Sequence, residues 1–430
     1  MKRRFERLNP IRSVVERAVN ELRSVWKLEA RSVPLIEAVG GYAAREYRAR
    51  LDLPPVDKSV LDGFAVRSID VAGASQSNPA ILRIAGEVRI DAANPPQIKP
   101  GEAYKVATGS PLPTGADVVI PVEAARVEGS ALFVYKPFAP GYGIMRRGED
   151  YKKGDVIVSK GERITWGHVG VLAAQGYNEI EVFALPRVAV FSVGDEIIEP
   201  GSEPRPGKVF NSTRPMIVAY LRSRGFHVID LGHVGDDPNA IREMLEKGLE
   251  SAEIVMAIGG SSVGDRDYTI EVLSSYVKGE GGWLVHGFLL RPGRPLGLGI
   301  VGGKLVASLS GFPVAAWAQV YTVIERIVYG VYGIRWPPDP RLIGRIERRV
   351  TSPAGVMDVV RVHLCLGSDG LMVKPLRTTG SGVLSTLVEG NAVLLMSEDV
   401  TGYDEGSLAE VFLLHPIIPP CMGEGGSNEG

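Results

Sequence analysis

Between residues 186 and 335, four short apolar runs, Arg187–Ser192, Gly225–Gly232, Glu253–Ile258 and Lys304–Leu309, alternate with helical stretches at Arg214–Arg224, Pro238–Glu250, Asp267–Lys278 and Pro313–Tyr332. Strands buried on both faces read as continuous apolar runs, so this alternation predicts a parallel, doubly wound α/β layer. Ligands of such layers bind beyond the carboxyl ends of the strands. The chain sets its least core-like residues there: Gly194-Asp195-Glu196, Gly235-Asp236-Asp237, the turn from Gly259 to Asp267, and Ser310-Gly311-Phe312-Pro313. Four loops on one edge are expected to form a site.

The turn reads Gly259-Gly260-Ser261-Ser262-Val263-Gly264-Asp265-Arg266-Asp267 and follows the run Ile254–Ile258. A strand that runs into glycines and then a helix leaves backbone N–H groups to face a phosphate, and carboxylates just beyond it can hold a cation. A plainer reading is a strand-to-helix turn with Asp267 as the helix cap; Asp237 followed by Pro238 likewise fits an ordinary cap. Three acidic turns gathered on one edge would repel one another without a cation or partner. Arg291-Pro292-Gly293-Arg294-Pro295 is more specific, because two prolines and a glycine fix the backbone that carries two planar cations able to grip an oxyanion. Its alternative is a rigid exposed turn.

At 430 residues the chain exceeds one ordinary core, and about three domains are expected. Helical spacing at residues 10–30 gives way at 47–145 to short β-type runs broken by Gly and Pro, including Ala80–Ile84, Ala103–Ala107, Asp117–Pro121 and Ala131–Tyr135. These read as a β domain inserted into a discontinuous N-terminal mixed domain, residues 1–46 with 146–185, which resumes with a helix near Thr165–Gln175. The α/β domain spans 186–335; Trp336-Pro337-Pro338-Asp339-Pro340 then reads as a linker into a C-terminal β domain at 336–420, with a disordered tail at 421–430. A net charge of −2 gives no basic footprint for nucleic acid, and no apolar run reaches bilayer length, Val314–Val331 being interrupted by Gln319, Glu325 and Arg326. The chain reads as cytoplasmic.

Two further segments are dense in polar and turn-forming residues: Leu53-Pro54-Pro55-Val56-Asp57-Lys58-Ser59-Val60-Leu61-Asp62-Gly63, and Thr108-Gly109-Ser110-Pro111-Leu112-Pro113. On physical grounds alone each is a structured loop. The six histidines show no ligand spacing, and Cys365 and Cys421 are too far apart in sequence for a metal cluster or a dense disulfide framework. No nucleophile elbow or Walker-type phosphate loop occurs.

In this order the segments resemble the molybdopterin molybdenumtransferase family, whose members include the C-terminal domain of gephyrin. The matching residues are Pro54-Pro55, Asp62 to Arg67, Thr108 to Pro113, Arg147-Gly148-Glu149-Asp150, Ser192 to Glu196, Val263 to Tyr268, Pro292 to Pro295, Arg361 and Ser381-Gly382. The resemblance implies a multidomain fold with a central doubly wound α/β domain, an inserted β domain, a small mixed α/β domain and a C-terminal β domain. It also implies a homodimer, molybdopterin adenylyltransferase as pathway partner, and insertion of molybdate or tungstate into adenylyl-molybdopterin with release of AMP. By the same resemblance Glu196, Asp236 and Asp267 serve Mg2+ or another divalent cation. Gly259, Gly260, Ser262 and Gly264 receive phosphate, and Arg291, Arg294, Arg361 and Ser381 form the oxyanion pocket. Asp62, Thr108 and Asp150 match positions tied to activity, Asp62 facing a cleft completed by the partner subunit.

Departures from the family pattern bear on the oxyanion. Many relatives carry lysine where this chain has Arg291 and Arg294, the common Leu-Pro-Gly-Asn-Pro becomes Leu309-Ser310-Gly311-Phe312-Pro313, and Ser192-Val193-Gly194-Asp195-Glu196 lacks a hydroxyl of the usual segment. A planar fork in place of a point charge alters pocket geometry, and tungstate becomes a candidate substrate. Three rivals remain: the smaller adenylyltransferases that share the α/β layer, a non-catalytic scaffold of the same fold, and a nucleotide-derivative hydrolase.

Overall fold

The structure, a computed structural model, describes residues 8–260, 268–280, 282–376 and 380–421, the side chains of 278–280 excepted. The chain forms two compact units, one of Ser32–Val182 and one of Met1–Arg31 with Phe183–Gly430.

In the smaller unit, six strands form a sheet in the order Val118–Pro121, Gly63–Val66, Glu102–Val106, Ala80–Val88, Ala131–Val134, Ala125–Glu128. Apolar side chains fill both of its faces: Phe64, Val66, Val118 and Ile120 enter one core, while Ala65, Val106 and Val119 enter another. Residues alternate sides along a strand, so burial on both faces removes the polar–apolar alternation from the sequence. A third core gathers Val33, Leu35, Tyr47, Val158, Ile164 and Leu172 around the helix Trp166–Ala174. Thr165 caps that helix reciprocally with His168.

The larger unit carries the central sheet, in the order His227–Val234, Arg187–Val193, Ile254–Ile258, Lys304–Leu309, Gly297–Val301, Gly282–His286. Its first four strands are parallel and its last two antiparallel. The four strands expected to be parallel are so, and two further strands, Gly297–Val301 and Gly282–His286, which the apolar-run reading did not include, make the sheet mixed. The reason is local: Gly302 and Gly303, at φ of 54° and 77°, make a two-residue turn whose twist returns the chain as a hairpin. Helix Pro238–Ser251 begins at Asp237, whose carboxylate accepts the Asn239 N–H at 3.1 Å, and buries Ile241 and Leu245 against Ala189, Phe191 and Val255. The helical stretch after Ser310 is α-helix over Pro313–Gln319, π-helix over Val320–Ile324, and α-helix again over Glu325–Tyr332. Arg23 of the helix Ile11–Val25 donates to the Gly330 carbonyl near its end at 2.7 Å. Among the described residues no helix is long and apolar enough to cross a membrane.

The C-terminal strands Met357–Gly367, Gly370–Pro375, Arg341–Ile346, Leu408–Leu413 and Ala392–Met396 pair in sequence around a ring, because Met357–Gly367 also pairs with Ala392–Met396. Closure removes free edges and encloses Val360, Val362, Leu364, Leu394 and Val411. Leu290–Arg291 adds a short parallel strand outside this ring, with Arg291 in register with Asp358. Cys365 and Cys421 form a disulfide. A single bridge is not the dense framework that their spacing excluded: Leu366 and Pro420 bridge as strand partners, and the Cys421 N–H donates to the Leu366 carbonyl at 2.9 Å. Cys421 is thus held against the ring; the rest of the expected tail, 422–430, lies outside the described residues.

The segment read as a linker is anchored. Arg224 pairs with Asp339 through two bonds of 2.7 Å and with the fully buried Glu325 at 3.0 Å, and the Tyr321 hydroxyl donates to Asp339 at 3.0 Å. Burial pushes the Glu325 carboxyl up to about 7 against the opposing pull of Arg224, while Arg224 itself stays charged. A carboxyl whose folded value is raised contributes stability that is complete below its unfolded value of 4.5 and lost as pH rises through about 7. Denaturant titrations across that window should therefore find wild type losing stability relative to Glu325→Gln as pH increases. A difference that stays constant with pH would contradict the raised value.

Candidate functional site

The carboxyl ends of three of the four parallel strands, Arg187–Val193, Ile254–Ile258 and Lys304–Leu309, open onto a cavity of about 1100 Å³ in the larger unit. Glu196, Asn211, Gly259, Gly260, Arg291, Arg294, Phe312 and Ser381 are among its lining residues. Two glycines are required where Ile254–Ile258 ends. Gly259 and Gly260 have φ of 95° and 67°, and an added Cβ would stand 2.3 Å from the Val193 carbonyl oxygen and 2.2 Å from Thr269 Oγ1, respectively. The expectation that Gly259 offers its N–H to phosphate is corrected: that N–H donates to the Leu309 carbonyl at 3.0 Å and extends the sheet ladder. Gly260 lines the cavity, while Ser262, Gly264 and Asp267 lie outside the described residues.

Two acidic loops lock onto each other. The Asp195 N–H donates to Asp236 Oδ2 at 3.2 Å, and the Asp236 N–H returns to Asp195 Oδ1 at 3.1 Å. The Lys208 ammonium donates to the Asp195 carbonyl, a cation at the loops that sequence reasoning did not find. Glu196 lines the cavity, its carboxylate lying over Gly194, where an added Cβ would come within 2.6 Å of Oε2. Glu196 and Asp236 thus sit on adjacent, tied loops. Among the described residues no three Asp, Glu, His or Cys side chains group to hold a metal ion. Farther along the wall, Asn211 donates to Ser192 Oγ at 2.8 Å and to Glu199 at 3.0 Å, and Thr213 Oγ1 donates to the Gly311 carbonyl at 2.7 Å.

The two arginines of the Pro-Gly turn differ. Arg291 pairs with Asp358, which is 3% exposed, and donates to the Thr351 carbonyl at 3.0 Å, so its charge is largely committed to the C-terminal ring. Arg294 is exposed at the cavity, and its guanidinium has no ion-pair or hydrogen-bond partner among the described residues. Arg361, expected beside them, does not line this cavity. It is buried in the ring, where Nε donates to Thr386 Oγ1 at 3.2 Å and Nη1 to the Val359 carbonyl at 3.1 Å. Ser381 does line the cavity, and its carbonyl accepts the Val314 N–H at 3.1 Å.

Gln319 holds this arrangement together. Fully buried, it accepts the Ser310 N–H at 2.9 Å through Oε1 and donates to the Gly293 carbonyl at 2.9 Å through Nε2. One amide joins the arginine turn to the loop after Lys304–Leu309. A polar residue inside an otherwise apolar helical run was the available signal.

Asp62, Thr108 and Asp150 belong to the smaller unit. Asp62 Oδ1 accepts the Thr108 N–H at 2.7 Å and its hydroxyl at 3.0 Å, and these bonds hold the carboxyl below its usual range. Asp150 is exposed, and its N–H donates to the Leu53 carbonyl at 3.0 Å.

Three family models match successive parts of the chain: "MoeA N-terminal region (domain I and II)" over residues 13–176, "Probable molybdopterin binding domain" over 189–329, and "MoeA C-terminal region (domain IV)" over 344–414. Molybdopterin molybdenumtransferase 2 of Mycobacterium tuberculosis is 30% identical over 383 residues, 89% of this chain and 94% of that protein. The chain belongs to the molybdopterin molybdenumtransferase family. Molybdopterin molybdenumtransferase of Staphylococcus aureus is 29% identical over 94% of this chain and 95% of its own length. The crystal structure of a molybdopterin biosynthesis protein from Pyrococcus horikoshii is similar at a TM-score of 0.78 and 29% identity, covering 95% of this chain and all of that one.

Replacing Gln319 by Leu would orphan a buried donor and a buried acceptor, each worth on the order of 1–3 kcal/mol. Chemical denaturation should show a loss of that order, and Gln319→Glu should fall between. An unchanged stability of Gln319→Leu would contradict the clamp.

Proposed function

We propose that this chain, a transferase of molybdenum cofactor biosynthesis, inserts molybdate, or its larger congener tungstate, into adenylyl-molybdopterin with release of AMP. The observation that carries this reading is a cavity at the strand ends whose lining combines Arg294, unpaired among the described residues, with the carboxylate of Glu196, glycines and aromatic side chains. A bidentate guanidinium suits a tetrahedral oxyanion, and the acidic loop suits the cation end of a phosphoanhydride.

The donors at Glu196 and Asp236, with Asp267 beyond the described residues, are all carboxylate oxygens, a set that fits a hard divalent cation such as Mg2+. Bound there, the cation would offset negative charge on the phosphoanhydride as AMP departs. The chain's own residues do the rest. Arg294 and Ser381 hold the oxyanion in the cavity, and the clamped turn keeps Arg294 from drifting, so that oxyanion and ligand meet in a fixed geometry. Arg291 acts mainly by fixing the turn to Asp358. The sulfurs that receive the metal belong to the pterin ligand, and the only two cysteines are joined to each other. Asp62, kept ionised by Thr108, and Asp150 are assigned to activity by their family positions. The reading further makes the protein a cytoplasmic homodimer that takes its substrate from molybdopterin adenylyltransferase.

Purified protein incubated with adenylyl-molybdopterin, a divalent cation and molybdate or tungstate should release AMP. Arg294→Ala should raise the oxyanion concentration needed for half-maximal rate by about tenfold, the weight of one charged hydrogen-bonded contact, with Arg294→Lys restoring part of it. No AMP above a protein-free control with either oxyanion would defeat the reading.

A further inference from the structure

The rim of the same cavity is apolar in a way that its anion-binding residues do not explain. Val209, Phe210 and Phe312 all line it, and they are 54%, 44% and 60% exposed. One exposed aromatic ring is ordinary, but three large apolar side chains on a single concave surface mark a place where something apolar is covered. Neither phenylalanine stacks on another ring or beneath a cation among the described residues.

Phe312 is held in place for such a role. Its N–H donates to Ser310 Oγ at 3.2 Å, its carbonyl accepts the Ala316 N–H at 2.9 Å as the cap of helix Pro313–Gln319, and Pro313 follows it. Its ring edge rests on Gly382, where an added Cβ would stand 3.0 Å from Cδ1. The Thr213–Gly311 hydrogen bond ties this loop to the segment that carries Phe210. A ring with a fixed backbone, backed by glycine and open to a cavity, loses little conformational freedom when a flat partner covers it. The same cavity holds Arg294, unpaired among the described residues, so the complementary ligand joins a planar ring to an anionic group.

Resting on the reading above, we propose that Phe312, with Phe210 on the same rim, is the stacking platform for a planar heteroaromatic ring of the bound ligand. Both adenine and pterin have this chemistry.

The test measures binding by full-length wild type, Phe312→Leu and Phe312→Trp to three probes: AMP, neopterin and the ringless ribose 5-phosphate. Leu keeps apolar bulk without a π face, and Trp keeps the face. Phe312→Leu should weaken AMP or neopterin by about tenfold while leaving ribose 5-phosphate unchanged, and Phe312→Trp should restore binding with ligand-induced quenching of its fluorescence. Whichever ring-bearing probe weakens identifies the ring that stacks. Equal binding of AMP and neopterin by Phe312→Leu and wild type, or an equal loss for ribose 5-phosphate, would overturn the platform. AMP release from adenylyl-molybdopterin by the same preparations separates the two ideas. Turnover with ring-independent binding sinks the platform alone, and ring-dependent binding without turnover sinks the transferase reading alone.

Discussion

One buried side-chain amide, that of Gln319, decides where the walls of the cavity stand. A buried backbone N–H or carbonyl without a partner is costly, so the Ser310 N–H and the Gly293 carbonyl must each find one. Gln319 supplies both, and in doing so sets the distance between the loop that carries Phe312 and the turn that carries Arg294. The residue lies in the last turn of α-helix before the π-helical segment Val320–Ile324, a local irregularity often found near functional sites.

Around that clamp the α/β layer and the C-terminal ring are joined by charge. Leu290–Arg291 pairs with the strand that begins at Met357, and Arg291 neutralises the buried Asp358. Arg224 does the same for Asp339 at the start of the connecting segment. Removing one member of a buried pair leaves the other charge uncompensated, so both contacts resist separation of the two domains. This also separates the two cations of the Pro-Gly turn: Arg291 is tethered and Arg294 is exposed at the cavity.

Much of this was legible in the residue pattern. The parallel strands announced themselves as apolar runs, and the strand-end rule placed Glu196, Asp236, Gly260 and Phe312 on one edge. What was not legible depended on long-range partners. Nothing near Arg291 in sequence reveals Asp358, and nothing near Cys365 reveals Cys421. Gln319 read as an interruption in an apolar helix because its two partners come from other loops. The Gly302-Gly303 hairpin, in contrast, carried a local signal, and with it the two antiparallel strands that the four-strand reading left out. Gly259 was assigned to phosphate because a glycine turn shows that an N–H exists but not which acceptor it reaches.

The central claim is that the oxyanion is held inside this cavity by Arg294. Crystals of the protein soaked with tungstate and AMP, with diffraction collected at a tungsten absorption edge, would locate the metal without assumption. The account predicts an anomalous peak within hydrogen-bonding distance of the Arg294 guanidinium. Tungsten ordered only outside the cavity, or beside Arg361 within the C-terminal ring, would contradict it.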